Sequence, residues 1–146
     1  MDFEAYENNC RSIIETNNQL LELFEKDLVQ SGISSKTINR HLSNVDFYIN
    51  TYLLREDAYP MEHGVRMIDG FLGNFFIRKC MWSTPGNIKS TAASIKKFYK
   101  SMLTHGKIKK QDYDYLCSEI KDGLETWQMN CALYNDPNSS NPFFFF

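Results

Sequence analysis

Five segments of the chain carry apolar side chains at intervals of three and four residues, the spacing that gathers them on one face of an α-helix. The clearest stripe, in the second segment, consists of Ile38, Leu42, Val45, Ile49 and Leu53. Residues 62–82 are apolar around most of the helical circumference, which is typical of a central helix. The pattern predicts an all-α fold, a compact bundle of about five helices.

Polar and glycine residues indicate where these helices begin and end. The predicted helices cover residues 2–30, 34–54, 62–82, 87–105 and 111–134. Ser34 or Ser35 is expected to cap the second helix and Asn87 the fourth, and the first is expected to break near Thr16. Phe75 and Ile95 are expected in the core.

The length of 146 residues suits a single domain. We divide it into an N-terminal helical extension at residues 1–17, a helical domain at residues 18–134 and a flexible C-terminal tail at residues 135–146. The tail ends in Phe143–Phe146, for which a disordered terminus and a docking peptide are the alternatives.

The cysteines and the chain ends indicate a soluble, cytoplasmic protein with reduced thiols. Cys10, Cys80, Cys117 and Cys131 are isolated from one another, without a C-x-x-C pair. The acidic N-terminus does not resemble a signal peptide, and no apolar run is long enough to span a membrane. We therefore expect no membrane partner.

Charge is distributed unevenly along the chain. The net charge is −2, which alone argues against nucleic acid as a partner. Residues 61–110 nevertheless carry ten basic and two acidic side chains, whereas residues 1–30 and 111–146 each have a net charge of −5. A basic middle between acidic ends can focus a positive field on one surface.

Two stretches resemble the SAM-like core-binding domain at the N-terminus of phage integrases and other tyrosine recombinases. Residues 34–45, SSKTINRHLSNV, are similar to the S-x-x-T-x-x-x-Y/H-L opening of that domain's second helix. Residues 87–100, NIKSTAASIKKFYK, are similar to its fourth helix, where small and basic residues precede an aromatic pair. The resemblance covers about residues 18–128.

The resemblance implies a SAM-like fold and duplex DNA as the partner, because in that family the second and fourth helices approach the major groove. The catalytic domain that supplies strand cleavage is expected to be missing. A helical projection gives the candidate contacts, since both helices carry polar and basic residues opposite their apolar stripes. The predicted DNA-binding set is Lys36, Thr37, Asn39, Arg40, Ser43, Asn87, Lys89, Ser90, Ser94, Lys96, Lys97 and Lys100.

No motif predicts an enzyme, a metal site, a cofactor or a small-molecule substrate. His63-Gly64-Val65-Arg66 matches a short H-x-x-R element of recombinase active sites, but in that family the element lies in the catalytic domain, so we assign it no catalytic role. His41 and His105 lie beside no group with metal-ligand spacing.

Three alternatives stay open at this stage. The lysine-rich face of the fourth helix also fits a solvated surface. The whole bundle also fits a protein-interaction module, with a recombinase or another protein as its partner. Trp82, Trp127, Tyr113 and Tyr115 fit either stacking on single-stranded nucleic acid or packing in the core, and their apolar surroundings favour the core.

Overall fold

The computed structural model describes residues 2–143, and all regular secondary structure within that range is helical. The predicted all-α bundle is therefore confirmed. We number the five main helices α1 (Phe3–Gln30), α2 (Ser35–Asp46), α3 (residues 68–79), α4 (Pro85–Thr104) and α5 (Lys110–Asn135). Helix α4 packs against α1, α2 and α5 and so forms the centre of the bundle.

Helix α1 runs without the break that we expected near Thr16. Asn17 is buried there, and its amide donates hydrogen bonds to the Ile49 carbonyl (3.2 Å) and to Asn50 Oδ1 (2.8 Å). The polar residue thus ties α1 to the end of the α2 segment, and its burial does not interrupt the helix. Residues 1–17 and 18–134 are therefore not separated by a helix boundary.

Two wide π-helical turns lie against each other in the core. Phe47–Tyr52 continues α2, and Phe71–Phe75 forms the middle of α3. The Phe71 ring lies 4.8 Å from the rings of both Tyr48 and Tyr52. A π turn adds one residue to a helical repeat, so it rotates the side chains that follow toward a new direction. Five aromatic rings from the two turns form one cluster, namely Phe47, Tyr48, Tyr52, Phe71 and Phe75.

The prediction of one helix over residues 62–82 was wrong at both ends. Met61–Arg66 forms a separate 3₁₀ helix, and α3 begins only at Ile68. Buried tyrosine hydroxyls donate hydrogen bonds to the carbonyls of the 3₁₀ helix, from Tyr99 to Met61 (2.7 Å) and from Tyr48 to Gly64 (2.6 Å). These hydroxyls replace partners that a continuous α-helix would have provided.

Helix α4 begins earlier than predicted. The cap is Thr84, whose hydroxyl oxygen accepts from the Asn87 amide (3.0 Å), and Pro85 occupies the first helical turn. Asn87 is therefore not the cap. The other end agrees with the prediction, because Gly106 follows the helix with a φ of +71°, a conformation that glycine adopts without steric cost.

The C-terminal segment turns back toward α5 after Asn135. The Asp136 carboxylate accepts from the Asn138 amide and the Ser139 hydroxyl, both at 2.9 Å. Phe143 is partly buried, and its ring lies 6.0 Å from that of Tyr134. This contact favours docking over disorder for Phe143, while Phe144–Phe146 lie outside the described residues.

Replacing Ile95 by Ala tests whether α4 is the centre of the core. Ile95 is fully buried, so we expect Ile95→Ala to lower the free energy of unfolding by about 2–5 kcal/mol in urea denaturation. Phe75 is only partly buried, contrary to its predicted core position, and Phe75→Ala should cost less than a fully buried phenylalanine would. An unchanged urea midpoint for Ile95→Ala would contradict this placement of α4.

Candidate nucleic-acid interface

The exposed face of α4 carries the predicted lysines. Lys89, Lys96, Lys97 and Lys100 are all exposed, with exposed Ala93 among them, while Ile88, Ile95 and Tyr99 face the core. The lysine stripe therefore faces away from the core. Lys100 has an aromatic neighbour, because its Nζ lies 5.4 Å from the Tyr113 ring centre on α5.

The first turns of α2 provide a second polar surface. The Ser34 hydroxyl caps this helix by accepting from the Thr37 amide (3.2 Å), as expected. Lys36, Asn39, Arg40 and Ser43 are exposed, whereas Ile38, His41 and Val45 are buried.

A buried polar network joins α2 to α4. His41 Nδ1 lies 2.7 Å from Ser94 Oγ, and the Asn44 amide donates to the same oxygen at 3.0 Å. Burial lowers the pKa of His41, and the positive charges of Arg40 and Lys97 lower it further. The contact between His41 and Ser94 brings α2 and α4 together, with exposed Arg40 next to His41 on α2 and exposed Lys97 one turn after Ser94 on α4.

Four members of the predicted set are partly or wholly engaged within the fold. Ser94 is fully buried in the His41 network, so its assignment as a DNA contact was wrong. Ser90, one turn earlier, is partly buried, and its backbone carbonyl accepts a hydrogen bond from the Ser94 hydroxyl (3.2 Å). The Thr37 hydroxyl accepts from Ser34 (2.9 Å), and the Asn87 amide group donates to the Trp82 carbonyl (2.8 Å).

One edge of the lysine stripe lies beside an acidic group. Lys97 and Lys100 line a depression of about 200 Å³ together with Asp27 of α1. The Asp27 carboxylate accepts from the Ser101 hydroxyl (2.5 Å) and lies 2.9 Å from His105 Nε2. The hydrogen bond from Ser101 is the main cause of the lowered pKa of Asp27, and His105 lowers it further.

Asp27, Ser101 and His105 are the residue types of a hydrolase triad, but their order differs. In a catalytic triad the histidine lies between the serine and the carboxylate. Here the carboxylate lies between the other two, so the histidine is not placed to take the serine proton. The arrangement instead joins the ends of α1 and α4.

A cavity of about 770 Å³ lies between the end of the α2 segment, α3 and α5. Three of its charged residues have hydrogen-bond partners within the fold. Asp69 accepts from the Trp127 indole (2.7 Å), Arg78 donates to Asn74 (3.0 Å) and Arg55 donates to the Tyr52 carbonyl (3.1 Å). Such pairing is typical of a structural wall rather than of an acid and base pair.

Sequence reasoning missed the turn between α3 and α4. Trp82 was assigned to the core, but 59% of it is exposed, and Met81 beside it is fully exposed. Arg78 and Lys79 end α3 next to this turn and were not in the predicted set. A usable signal was the stretch from Gly70 to Gln111, which contains no Asp or Glu and nine Lys or Arg residues.

The other three aromatic residues that we considered for base stacking differ in burial. Trp127 is buried and Tyr113 packs on the core, but Tyr115 is partly exposed and its ring lies 4.8 Å from the Arg66 guanidinium. Tyr115 was therefore misplaced in the buried set.

Comparison of the chain with family models, curated proteins and solved structures finds no match. Among residues 2–143, no group of three His, Cys, Asp or Glu side chains is arranged to hold a metal ion. No helix in the same range is long and apolar enough to cross a membrane. The functional argument therefore rests on the geometry of α2 and α4.

Acid should destabilise the fold through His41. Its folded pKa lies below its ordinary value of 6.5, so the unfolded chain takes up the proton first. The stability that His41 contributes is fully present above about pH 6.5, the ordinary pKa of histidine. It is lost as the pH falls below that value toward the pKa of His41 in the folded chain. His41→Gln keeps a hydrogen-bonding group but removes the titration.

We expect the stability of the wild type relative to His41→Gln to decrease between about pH 7 and pH 5 in urea denaturation. Taking the difference between the two proteins removes the pH dependence that they share. A pH-independent difference would show that His41 is not held in its neutral form.

Proposed function

We propose that this chain is a non-catalytic binding domain for duplex DNA. It would contact the duplex through the joint face of α2 and α4, whose exposed basic residues are Lys36, Arg40, Lys89, Lys96, Lys97 and Lys100. The observation that carries the proposal is the 2.7 Å contact between His41 of α2 and Ser94 of α4, because exposed Arg40 adjoins His41 and exposed Lys97 lies one turn after Ser94. The proposal agrees with the resemblance of residues 34–45 and 87–100 to the core-binding domain of tyrosine recombinases. In that family the same two helices approach the major groove.

The two helices would make different contacts. The α4 lysines suit phosphates, because flexible ammonium groups release condensed counterions whatever the base sequence. Small Ala93 among them allows close approach to a backbone. Asn39 and Arg40 suit base edges, since their planar groups can form paired hydrogen bonds with adenine and guanine. Affinity would thus come mainly from α4 and any sequence preference from α2.

The net negative charge of the chain does not oppose this proposal. Residues 34–45 and 87–100, which provide the joint face, contain no Asp or Glu. The joint face itself carries exposed Lys36, Arg40 and the four α4 lysines. A duplex responds to this local field more than to the total charge.

Removing two α4 lysines should reduce the salt dependence of binding. Each lost phosphate contact lowers the slope of log affinity against log salt by about 0.9 on duplex DNA. We therefore expect Lys89→Ala with Lys97→Ala to flatten the slope by nearly two units, measured by fluorescence anisotropy over a range of salt concentrations.

Lys26→Ala with Lys121→Ala is the matched control. Both residues are exposed and lie on α1 and α5, so this pair removes the same charge from other helices and should leave the slope nearly unchanged. Equal slopes for the two double variants would refute the assignment to α4. Absence of wild-type binding even at about 50 mM salt would end the DNA proposal.

A protein-interaction role is the second candidate, and exposed apolar residues on α5 favour it. Met129 and Leu133 are exposed on this helix four residues apart, with Tyr134 beside them. Their neighbours Glu125 and Asn130 are polar, so the apolar stretch is small. If the wild type does not bind DNA but associates with itself or with a recombinase, and Leu133→Ser abolishes that association, this candidate replaces the first.

A further inference from the structure

The turn between α3 and α4 presents two large apolar side chains to solvent. Met81 is fully exposed and 59% of Trp82 is exposed, although the chain buries most of its other large apolar residues. Large apolar side chains that protrude together from a polar surface are typical of a contact site.

Hydrogen bonds hold this turn in place. The Ser83 amide donates to the Cys80 carbonyl (3.0 Å), and the Asn87 side chain donates to the Trp82 carbonyl (2.8 Å). From α5, the Asn135 side chain donates to the Ser83 carbonyl (2.8 Å). Cys80 and Ser83, on either side of the exposed pair, are buried. These hydrogen bonds hold the backbone of the turn in place, and the Met81 side chain projects from it into solvent.

The indole of Trp82 is anchored on one side only. Its ring centre lies 6.0 Å from that of Phe47 and 6.5 Å from that of Phe76, both in edge contacts. These contacts connect the turn to the α2 segment and to α3. Met81 and Trp82 are consecutive in the turn and both exposed, and we call this pair the apolar projection.

Basic residues flank the projection in the sequence. Arg78 and Lys79 precede it, Lys89 follows it, and all three are exposed. The neighbouring acid on α2 is Asp46, which accepts from Asn50 (2.7 Å) and lines a depression facing α1. A projection between cations is complementary to a groove between two phosphate backbones. Asn87 connects it to the proposed joint face of α2 and α4.

We propose that Met81 and Trp82 form a wedge that inserts between two base pairs of duplex DNA and unstacks that step, while Arg78, Lys79 and Lys89 contact the flanking phosphates. Methionine is among the apolar residues that proteins use as such wedges, and the unstacked step bends the duplex around the protein. This inference rests on the proposed function, because it requires that the joint face binds a duplex.

The test uses the full chain and duplexes that carry 2-aminopurine at successive positions, since this base becomes more fluorescent when it is unstacked. We expect the wild type to raise the fluorescence at one step. Met81→Gln should abolish the rise and weaken binding by about tenfold while leaving the salt slope unchanged, because it removes no charge. A fully exposed methionine can be replaced without disturbing the core.

Met129→Gln on α5 is the matched control and should retain the fluorescence rise. Lys89→Ala with Lys97→Ala should reduce the salt slope but retain the rise once the duplex is saturated. Duplex binding by the wild type without a rise at any position would refute the wedge and leave the proposed function standing. A wild type that does not bind duplex would refute both.

Two further outcomes would assign the turn to another partner and overturn the wedge. One is binding to phosphatidylserine vesicles that depends on Met81, with no change in duplex fluorescence. The other is self-association that Met81→Gln abolishes, measured by sedimentation. Either result would explain the exposed apolar pair without DNA.

Discussion

The buried contact of His41 and Asn44 with Ser94 determines how α2 and α4 lie against each other. Ser94 is fully buried and His41 is only 4% exposed, and the Ser94 hydroxyl is the polar partner of both the His41 ring and the Asn44 amide. Replacing one partner would leave an unsatisfied polar group in the interior. This requirement fixes the rotation of both helices about their axes, and it turns Lys96 and Lys97 outward on α4 and Arg40 outward on α2.

The same contact links the packing of α2 on α4 to the proposed binding face. Burial lowers the pKa of His41, and the positive charges of Arg40 and Lys97, which we propose contact DNA, lower it further. A duplex that binds Arg40 and Lys97 in the folded chain and does not bind the unfolded chain would stabilise the packing of α2 on α4. The Asp27 group acts at the other end of α4, where it fixes α1 without contributing positive charge.

Helical periodicity predicted the all-α class and most of the buried stripes, because burial of one face repeats along a regular helix. It did not predict the π turns at Phe47–Tyr52 and Phe71–Phe75, since an inserted residue changes the phase of the stripe. It also misplaced Ser94 and Trp82. Ser94 lies on the polar side of the helical projection, but a neighbouring helix covers it, and the exposure of Trp82 depends on where α3 ends. The burial of Ser94 and the exposure of Trp82 depend on contacts between helices, and the spacing of residues along the chain does not describe those contacts.

The central claim is that α2 and α4 present one binding surface, and backbone NMR of the full chain with a short duplex tests it most directly. The account predicts shift changes in the first turns of α2, along the exposed face of α4 and at the turn that joins α3 to α4. Residues of α1 before Asn17 and the exposed face of α5 should not change. Shifts concentrated on α5, or on only one of α2 and α4, would contradict the account.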